Sequence, residues 1–255
     1  MSFQVPAQAY GSFMGRFSEP LADQFVEVAG LVPGRRALDV GCGPGALTAR
    51  LVALLGEDGV SAIDPSEPFV AAAQERFPGV DVSTGTAESL GFDDDSFDAA
   101  LAQLVVHFMR DPVQGLREMT RVTRPGGVVA AAVWHHASSA GPLSLFWGVV
   151  RDVDPQAEGE GDFAGVKEGD LARLFVAAGL GSLEETTLTV HVPFDSFEQW
   201  WEPYTMGVGP AGQYVAGLDE TRLKMLKEAC RRRVPEGAFT IDASSWCVSA
   251  TVPGA

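Results

Sequence analysis

Residues 38–46 read Leu-Asp-Val-Gly-Cys-Gly-Pro-Gly-Ala, and this stretch decides the fold class. Its apolar start predicts a buried strand, and the glycines that follow predict a tight turn that opens a helix. Glycine lets a ligand approach the backbone closely because it has no Cβ atom. The stretch therefore predicts an early strand of an α/β domain with a binding loop at its carboxyl end.

The pattern around this stretch alternates short apolar runs with amphipathic helical runs, which is typical of βαβ units and a parallel sheet. The predicted strands are 36–40, 59–63, 80–83, 97–103, 127–134, 183–192 and 239–252, and the predicted helices are 20–31, 45–55, 66–77, 112–122, 142–153 and 169–178. We expect a single domain over residues 1–255, with helical material at 194–236 inserted before the last strand.

The charge balance excludes one class of partner. The chain has 34 Asp and Glu against 18 Lys and Arg, a formal net charge of −16. A chain of this charge repels a phosphate backbone, so we expect no nucleic acid to bind.

The cysteines and the apolar runs also bear on where the protein acts. Cys42, Cys230 and Cys247 are scattered and form no metal-binding pattern, which favours a reducing compartment and predicts no metal site. No apolar run approaches the length of about 20 residues that a membrane span needs. We therefore expect a cytoplasmic protein that does not bind membranes, as a monomer or a homodimer.

The glycine turn is compatible with two cofactor classes. Gly41, Gly43 and Ala46 fit the spacing of a dinucleotide-binding turn, and Asp64 follows the second strand where that pattern places its ribose-binding acid. Asp39 favours a different ligand, because its carboxylate would repel a pyrophosphate but attract the ammonium group of a methionyl moiety. The sequence thus favours adenosylmethionine over a nicotinamide dinucleotide.

Residues 38–46 resemble motif I of the class I S-adenosyl-L-methionine-dependent methyltransferases. The order of landmarks from about Tyr10 to Trp134 is similar to the small-molecule branch called methyltransferase type 11, which is related to the ubiquinone and menaquinone methyltransferases. The resemblance implies a Rossmann-like, seven-stranded, mostly parallel sheet with the last strand antiparallel, helices on both faces, and a helical lid between strands six and seven. It implies S-adenosyl-L-methionine as cofactor and S-adenosyl-L-homocysteine as product.

The resemblance also implies a set of cofactor contacts, which follow the order of the motifs. The methionyl moiety would meet Asp39, Gly41, Cys42 and Gly43, and the ribose would meet Asp64, with Pro65 as a further cofactor contact. The adenine would meet Thr86, Ala87 and Glu88, and Gln103 would face the cofactor from the fourth strand. Thr86 stands where the family carries an acidic residue. The adenine contact is therefore expected from the Ala87 amide together with either Thr86 or Glu88.

The segment 1–18 is expected to cover the cofactor, as it does in similar family members. Tyr10, Met14 and Arg16 are the candidate contacts, with Arg16 on the cofactor carboxylate. The alternative is that Phe13 and Phe17 simply anchor this terminus.

The acceptor side is expected to be apolar or aromatic, and the protein mainly orients the acceptor and excludes water. The candidate substrate contacts are His107, Trp134, Trp147, Trp200, Trp201 and Tyr204. His107, His135 and His136 are candidates for a general base, which is needed when the acceptor must lose a proton. Each of these side chains could instead serve packing.

Two other functions share part of the pattern. A nicotinamide-dependent oxidoreductase would explain the glycine turn and Asp64, but neither Tyr204 nor Tyr214 has the lysine four residues later that one large class of these enzymes needs. A non-catalytic interaction protein with the methyltransferase fold is the second alternative, and the intact motif I argues against it.

Overall fold

The predicted sheet is present in the computed structural model, which describes residues 7–254. Its strands are β1 Ala37–Val40, β2 Val60–Asp64, β3 Asp81–Thr84, β4 Phe97–Gln103, β5 Thr123–Trp134, β6 Leu183–Phe194 and β7 Phe239–Thr251. Their order is β3-β2-β1-β4-β5-β7-β6, and β7 runs antiparallel to both of its neighbours. The predicted fold class is confirmed.

The helices lie between the strands as the alternating pattern predicts. They are α1 Ala7–Tyr10, α2 Arg16–Val28, α3 Ala46–Leu55, α4 Glu67–Arg76, α5 Pro112–Val122, α6 Ser144–Val153, α7 Asp170–Ala178, α8 Phe197–Trp201, α9 Gly209–Ala216 and α10 Glu220–Arg231. Every residue of β1 and β2 is buried, because helices cover both faces of the central sheet. None of the helices within residues 7–254 combines the length and apolar character of a membrane span.

The first long helix begins earlier than the sequence predicts. A π-helical turn, Gly11–Gly15, joins α1 to α2, so Pro20 lies inside a helix rather than at its start. Proline fits the helical φ angle and removes one hydrogen bond, a cost that the buried face of Phe17, Leu21 and Phe25 offsets. Residues 1–6 of the predicted covering segment lie outside the described residues.

The insertion leaves the sheet at the edge that carries the glycine turn. Strands β6 and β7 pair continuously from Leu183 with Ala250 to Phe194 with Phe239, and α8, α9 and α10 connect them. Because β6 runs parallel to β1, its end at Phe194 lies at the same carboxyl edge as the turn after Val40. The topology therefore brings the helical insertion to the side of the sheet where parallel α/β folds bind ligands.

Candidate functional site

A cleft of about 560 Å³ lies at the carboxyl edge of the sheet, where the strand order reverses between β1 and β4. Open parallel sheets bind ligands at such reversals because neighbouring connections leave on opposite faces. Most of the predicted cofactor residues line this cleft: Tyr10, Asp39, Gly41, Cys42, Gly43, Asp64, Pro65, Thr86, Ala87, Glu88 and Gln103. One surface thus unites residues that are far apart in the sequence.

The first three amides of the glycine turn donate hydrogen bonds to acceptors within the protein. The Ile63 carbonyl accepts hydrogen bonds from the amides of Gly41 at 2.8 Å and Cys42 at 2.9 Å. The Gly43 amide donates to Asp64 Oδ2 at 2.9 Å. A turn that binds pyrophosphate needs amides that point at the ligand. With these three amides already engaged, the turn suits a cationic group better than a phosphate.

Asp39 is a buried carboxylate held by the hydroxyl and the backbone of Thr48. Thr48 Oγ1, in the first turn of α3, donates to Asp39 Oδ2 at 2.6 Å. Burial raises the pKa of the Asp39 carboxyl to about 7, and the nearby Asp64 charge contributes less. Such a carboxylate is costly to ionise in the absence of a cation, and an ammonium in the cleft would remove that cost. No pattern in the sequence predicts the role of Thr48, because its pairing with Asp39 depends on how α3 packs beside β1.

Asp64 is oriented by two backbone amides. Oδ1 accepts from the Ser66 amide at 2.8 Å, and Oδ2 accepts from the Gly43 amide at 2.9 Å. Burial raises the pKa of Asp64 above its usual range. Each carboxylate oxygen can accept a further hydrogen bond, because it carries two lone pairs. Asp64 is therefore arranged to accept bonds from two neighbouring hydroxyl groups.

Two buried polar atoms in the cleft lack a protein partner. Gln103 Nε2 donates to the Ser18 carbonyl at 2.9 Å, while Gln103 Oε1 and the Ser18 hydroxyl have none among the described residues. Both residues line the cleft. Buried polar atoms are rarely left unsatisfied, so a ligand that supplies hydrogen bonds fits this place. Ser18 was not among the predicted contacts.

Leu104 marks the junction between the cleft and a smaller cavity. It follows Gln103 at the end of β4 and has a φ angle of 64°, in the left-handed region that leucine rarely adopts. Its side chain contributes to the walls of both spaces. Strained backbone of this kind clusters at functional sites. No sequence pattern predicts it, since leucine gives no sign of a left-handed conformation.

Glu88 has a structural partner as well as a place in the cleft. Its Oε1 accepts from the Arg110 amide at 2.7 Å and the Asp111 amide at 3.3 Å, so it holds the loop that precedes α5. Phe108 and Met109, which the sequence analysis did not single out, line the same end of the cleft. Thr86 replaces the acidic residue of the family motif, and the nearby acid Glu88 already accepts two backbone hydrogen bonds.

The smaller cavity, of about 30 Å³, adjoins the cleft and shares Tyr10, Leu104 and Phe108 with it. We call it the inner cavity. Its other lining residues are Phe13, Met14, His107, Trp134, His136, Leu143, Glu160, Val208, Gly209, Pro210 and Ala211. The predicted acceptor-side residues His107 and Trp134 and the predicted cofactor contact Met14 thus meet here. Glu160, which was not among the predicted site residues, lies with them.

The histidines of the inner cavity are uncharged at neutral pH. Burial lowers the pKa of His107 well below its usual value and that of His136 to about 4. The two rings lie 5.5 Å apart between centroids. His135 lies elsewhere: its ring stacks on Trp246 at 3.7 Å. The structure therefore brings two of the three candidate bases together and gives the third a packing contact.

Arg16 does not reach the cleft. Its guanidinium lies 4.4 Å from the centre of the Phe194 ring and donates to the Pro193 carbonyl at 3.1 Å. The helical start of this segment directs the side chain toward the end of β6. Arg16 is not among the residues that line the cleft, and its contact with the cofactor carboxylate stays a prediction, while Phe13 and Phe17 are buried as the anchoring alternative predicts.

The aromatic residues of the insertion pack against one another. Tyr204 stacks on Phe146 at 4.4 Å and lies 5.0 Å from Trp200 and 6.0 Å from Trp201, centroid to centroid. Trp200, Trp201 and Tyr204 line neither space, so the contacts described for them are packing contacts and their substrate role stays a prediction. Trp147 also lies behind the wall, where its indole Nε1 donates to Glu160 Oε2 at 2.8 Å.

The comparisons with known proteins identify the family. Residues 38–131 match the model of a family described as a methyltransferase domain. A demethylmenaquinone methyltransferase of Bacillus mycoides is 30% identical over 181 residues, which cover 63% of this chain and 76% of the relative. The chain belongs to the class I methyltransferase family. Its fold is also that of the YcgJ protein of Bacillus subtilis, with a TM-score of 0.59, 19% identity, and coverage of 92% of this chain and 99% of that one.

Other relatives match over a smaller part of their length. The biotin biosynthesis bifunctional protein BioHC of Teredinibacter turnerae is 33% identical over 159 residues, 57% of this chain and 27% of the relative. The demethylmenaquinone methyltransferase of Renibacterium salmoninarum is 38% identical over 111 residues, 44% of this chain and 46% of the relative. The chain thus spans less than half the length of these two relatives.

S-adenosyl-L-methionine is the cofactor of this methyltransferase family, and the cleft suits it. Asp39 and the unpartnered Gln103 Oε1 complement an ammonium group, and Asp64 complements the ribose hydroxyls. The Cβ of a residue at position 43 would meet no protein atom within 4 Å, so Gly43 leaves open space at the cleft. The family assignment gives no support to the nicotinamide alternative. The amides of Gly41, Cys42 and Gly43 also disfavour it, because their protein acceptors leave them unable to bind a pyrophosphate.

The raised pKa of Asp39 predicts a pH-dependent affinity for S-adenosyl-L-methionine. Below about pH 7 the free carboxyl is protonated, whereas an ammonium favours the ionised form, so binding must release a proton. We expect the affinity to fall by roughly tenfold between pH 7.5 and pH 5.5. Asp39→Asn should bind about tenfold to a hundredfold more weakly at pH 7.5 and lose this component of the pH dependence, as calorimetric titration would show.

The unfolding temperature provides the control for this variant. Asparagine keeps an oxygen for Thr48 and avoids ionisation in a buried site. The folded-state pKa of Asp39 is raised, so its contribution to stability is full below the unfolded pKa and is lost as pH rises through about 7. At pH 8 Asp39→Asn should therefore unfold at the same or a higher temperature than the original protein. An unchanged pH profile in Asp39→Asn would contradict the assigned role.

Proposed function

We propose that this protein transfers the methyl group of S-adenosyl-L-methionine to a small, apolar or aromatic organic acceptor. The observation that carries the proposal is that two carboxylates, Asp39 and Asp64, flank a glycine turn whose first three amides are already bonded to protein acceptors. This arrangement complements one cation and one pair of hydroxyl groups, which the cofactor combines in a single molecule.

When bound, the cofactor supplies an electrophilic methyl group, and the chain's own residues position the acceptor and exclude water. The inner cavity serves the acceptor side, since it adjoins the cleft and its walls are mostly apolar or aromatic. Buried His107 and half-buried His136 are the candidates to accept a proton there, because both line the cavity and both rings are uncharged. His107 is the stronger candidate, since its Nδ1 lacks a partner among the described residues.

The segment 194–236 acts as a lid in this proposal. Val208, Gly209, Pro210 and Ala211 contribute to one wall of the inner cavity, and the aromatic packing around Tyr204 fixes that wall to α6. Residues 1–18 act as a second cover, supported by the positions of Tyr10 and Met14. Movement of either cover would open a cavity that is otherwise too small for a whole acceptor.

The acidic surface and the relatives support a small-molecule acceptor. A net charge of −16 opposes nucleic acid as a substrate. The demethylmenaquinone methyltransferases among the relatives are named for a small-molecule substrate. The buried thiols of Cys42, Cys230 and Cys247 are all unpaired, which suits the reducing conditions of the cytoplasm.

An acceptor screen tests this proposal. The purified protein would be incubated with S-adenosyl-L-methionine carrying a labelled methyl group and, in separate reactions, with small aromatic acceptors, an unstructured peptide mixture and transfer RNA. We expect label to enter small aromatic molecules, with matching release of S-adenosyl-L-homocysteine. Transfer to peptide or RNA alone would contradict the proposal, and binding of the cofactor without any transfer would favour the interaction-protein alternative.

A further inference from the structure

Glu160 is a buried acid with little compensation from the protein. It lies in the loop between α6 and α7, is 4% exposed, and lines the inner cavity. Its hydrogen bond within the described chain is the one from the Trp147 indole, and it takes part in none of the ion pairs found there. A carboxylate removed from water usually has a cation or several donors beside it. Glu160 therefore lacks the partner that its burial calls for.

The other groups that face Glu160 do not supply a positive charge. His107 and His136 are held uncharged by their own burial, and no lysine or arginine is among the described lining residues. Burial raises the pKa of Tyr204 well above its usual value, and Cys230 and then Glu160 raise it further. Burial raises the pKa of Glu160 itself to about 7. Among the described residues that line the cavity, none brings a positive charge to Glu160.

The walls of the inner cavity favour a cation as that partner. Tyr10, Phe13, Phe108 and Trp134 contribute aromatic surface there. The faces of aromatic rings attract ammonium groups, and a carboxylate adds a charged hydrogen-bond acceptor. An anionic group would meet the Glu160 charge and no compensating cation. A volume of about 30 Å³ is enough for a small polar head group but not for an aromatic ring.

We propose that the inner cavity recognises a protonated amine on the methyl acceptor, with Glu160 accepting its N–H bond and Trp147 holding the carboxylate in place. The apolar body of the acceptor would then extend past Leu104 and Phe108 toward the cleft, since both residues line the two spaces. The inference rests on the proposed function, because it assigns a charge to the acceptor of the same site. It makes Glu160 a specificity-determining residue and Trp147 a positioning residue.

The Trp147 indole N–H gives a readout that is independent of catalysis. Protein labelled with ¹⁵N in its tryptophans would be titrated with benzylamine and, as a matched neutral probe, with benzyl alcohol. The Trp147 resonance would be assigned from a Trp147→Phe variant. We expect benzylamine to shift this resonance and to bind at least tenfold more tightly than benzyl alcohol. Equal or tighter binding of benzyl alcohol, or no response to benzylamine, would overturn the proposal.

Two variants of one loop separate the charge from general effects. Glu160→Gln keeps an oxygen for the Trp147 indole but removes the charge, and we expect at least a tenfold loss of benzylamine affinity. Glu158→Gln is the control, because Glu158 is exposed in the same loop, and it should bind benzylamine like the original protein. Unchanged binding in Glu160→Gln would contradict the role of Glu160. Calorimetry with S-adenosyl-L-methionine, run in parallel, shows whether the methyltransferase proposal fails separately.

Discussion

Replacing Asp64 with alanine should weaken S-adenosyl-L-methionine binding by more than a hundredfold. Asp64 accepts two backbone amides and has lone pairs left for two ribose hydroxyls. A hydrogen bond to a charged group contributes about 1.5–3 kcal/mol, so two of them contribute about 3–6 kcal/mol, or two to four orders of magnitude in the dissociation constant. Calorimetric titration of the variant measures this loss.

The controls for Asp64→Ala separate binding from folding. The variant leaves the Gly43 and Ser66 amides without their acceptor, so we expect its unfolding temperature to fall by several degrees. Asp81→Ala changes an exposed acid on the neighbouring strand β3 and should bind the cofactor normally. A folded Asp64→Ala protein that binds within threefold of the original would contradict the assigned ribose contact.

Alanine at position 43 should mainly reduce cofactor affinity, whereas alanine at position 41 should mainly reduce stability. Gly43 has a φ angle of 53°, and an added Cβ would meet no protein atom within 4 Å. Its replacement costs about 1–2 kcal/mol of stability through the left-handed backbone alone. Because the added methyl group occupies the cleft, we expect Gly43→Ala to remain folded and to lose at least tenfold in cofactor affinity.

The Gly41→Ala variant should instead be much less stable to unfolding than the Gly43→Ala variant. Gly41 has a φ angle of 73°, and an added Cβ would lie 2.4 Å from Val105 Cγ2. Overpacking and backbone strain together should cost about 2–5 kcal/mol in the free energy of unfolding, measured by chemical denaturation. Adding Val105→Ala should restore part of that stability by removing the clashing methyl groups. Equal stability of the two glycine variants would show that this geometry is wrong.

The sheet could be predicted from sequence because its signals are local. The bounds 97–103 and 112–122 agree with β4 and α5, where buried apolar runs and an Asp-Pro helix start leave little ambiguity. The glycine turn and Asp64 were predictable for the same reason, since the turn requires residues without a Cβ and the acid follows a strand. Such features depend on a few neighbouring residues.

Other parts of the site depend on packing between distant segments. Glu160 belongs to a polar segment that predicts exposure, but tertiary packing buries it at the inner cavity beside Trp147. Arg16 was expected at the cofactor because it belongs to a covering segment, but the helix of that segment directs it to Phe194. The left-handed Leu104 likewise follows from tertiary structure. The sequence pattern of one segment does not predict which distant segment its side chains will contact.

The most direct test of the cofactor assignment is calorimetric titration of the original protein with S-adenosyl-L-methionine and, separately, with NADH. The arrangement of Asp39, Asp64 and the glycine turn predicts micromolar binding of S-adenosyl-L-methionine and no measurable binding of NADH. Binding of NADH in the absence of S-adenosyl-L-methionine binding would contradict it.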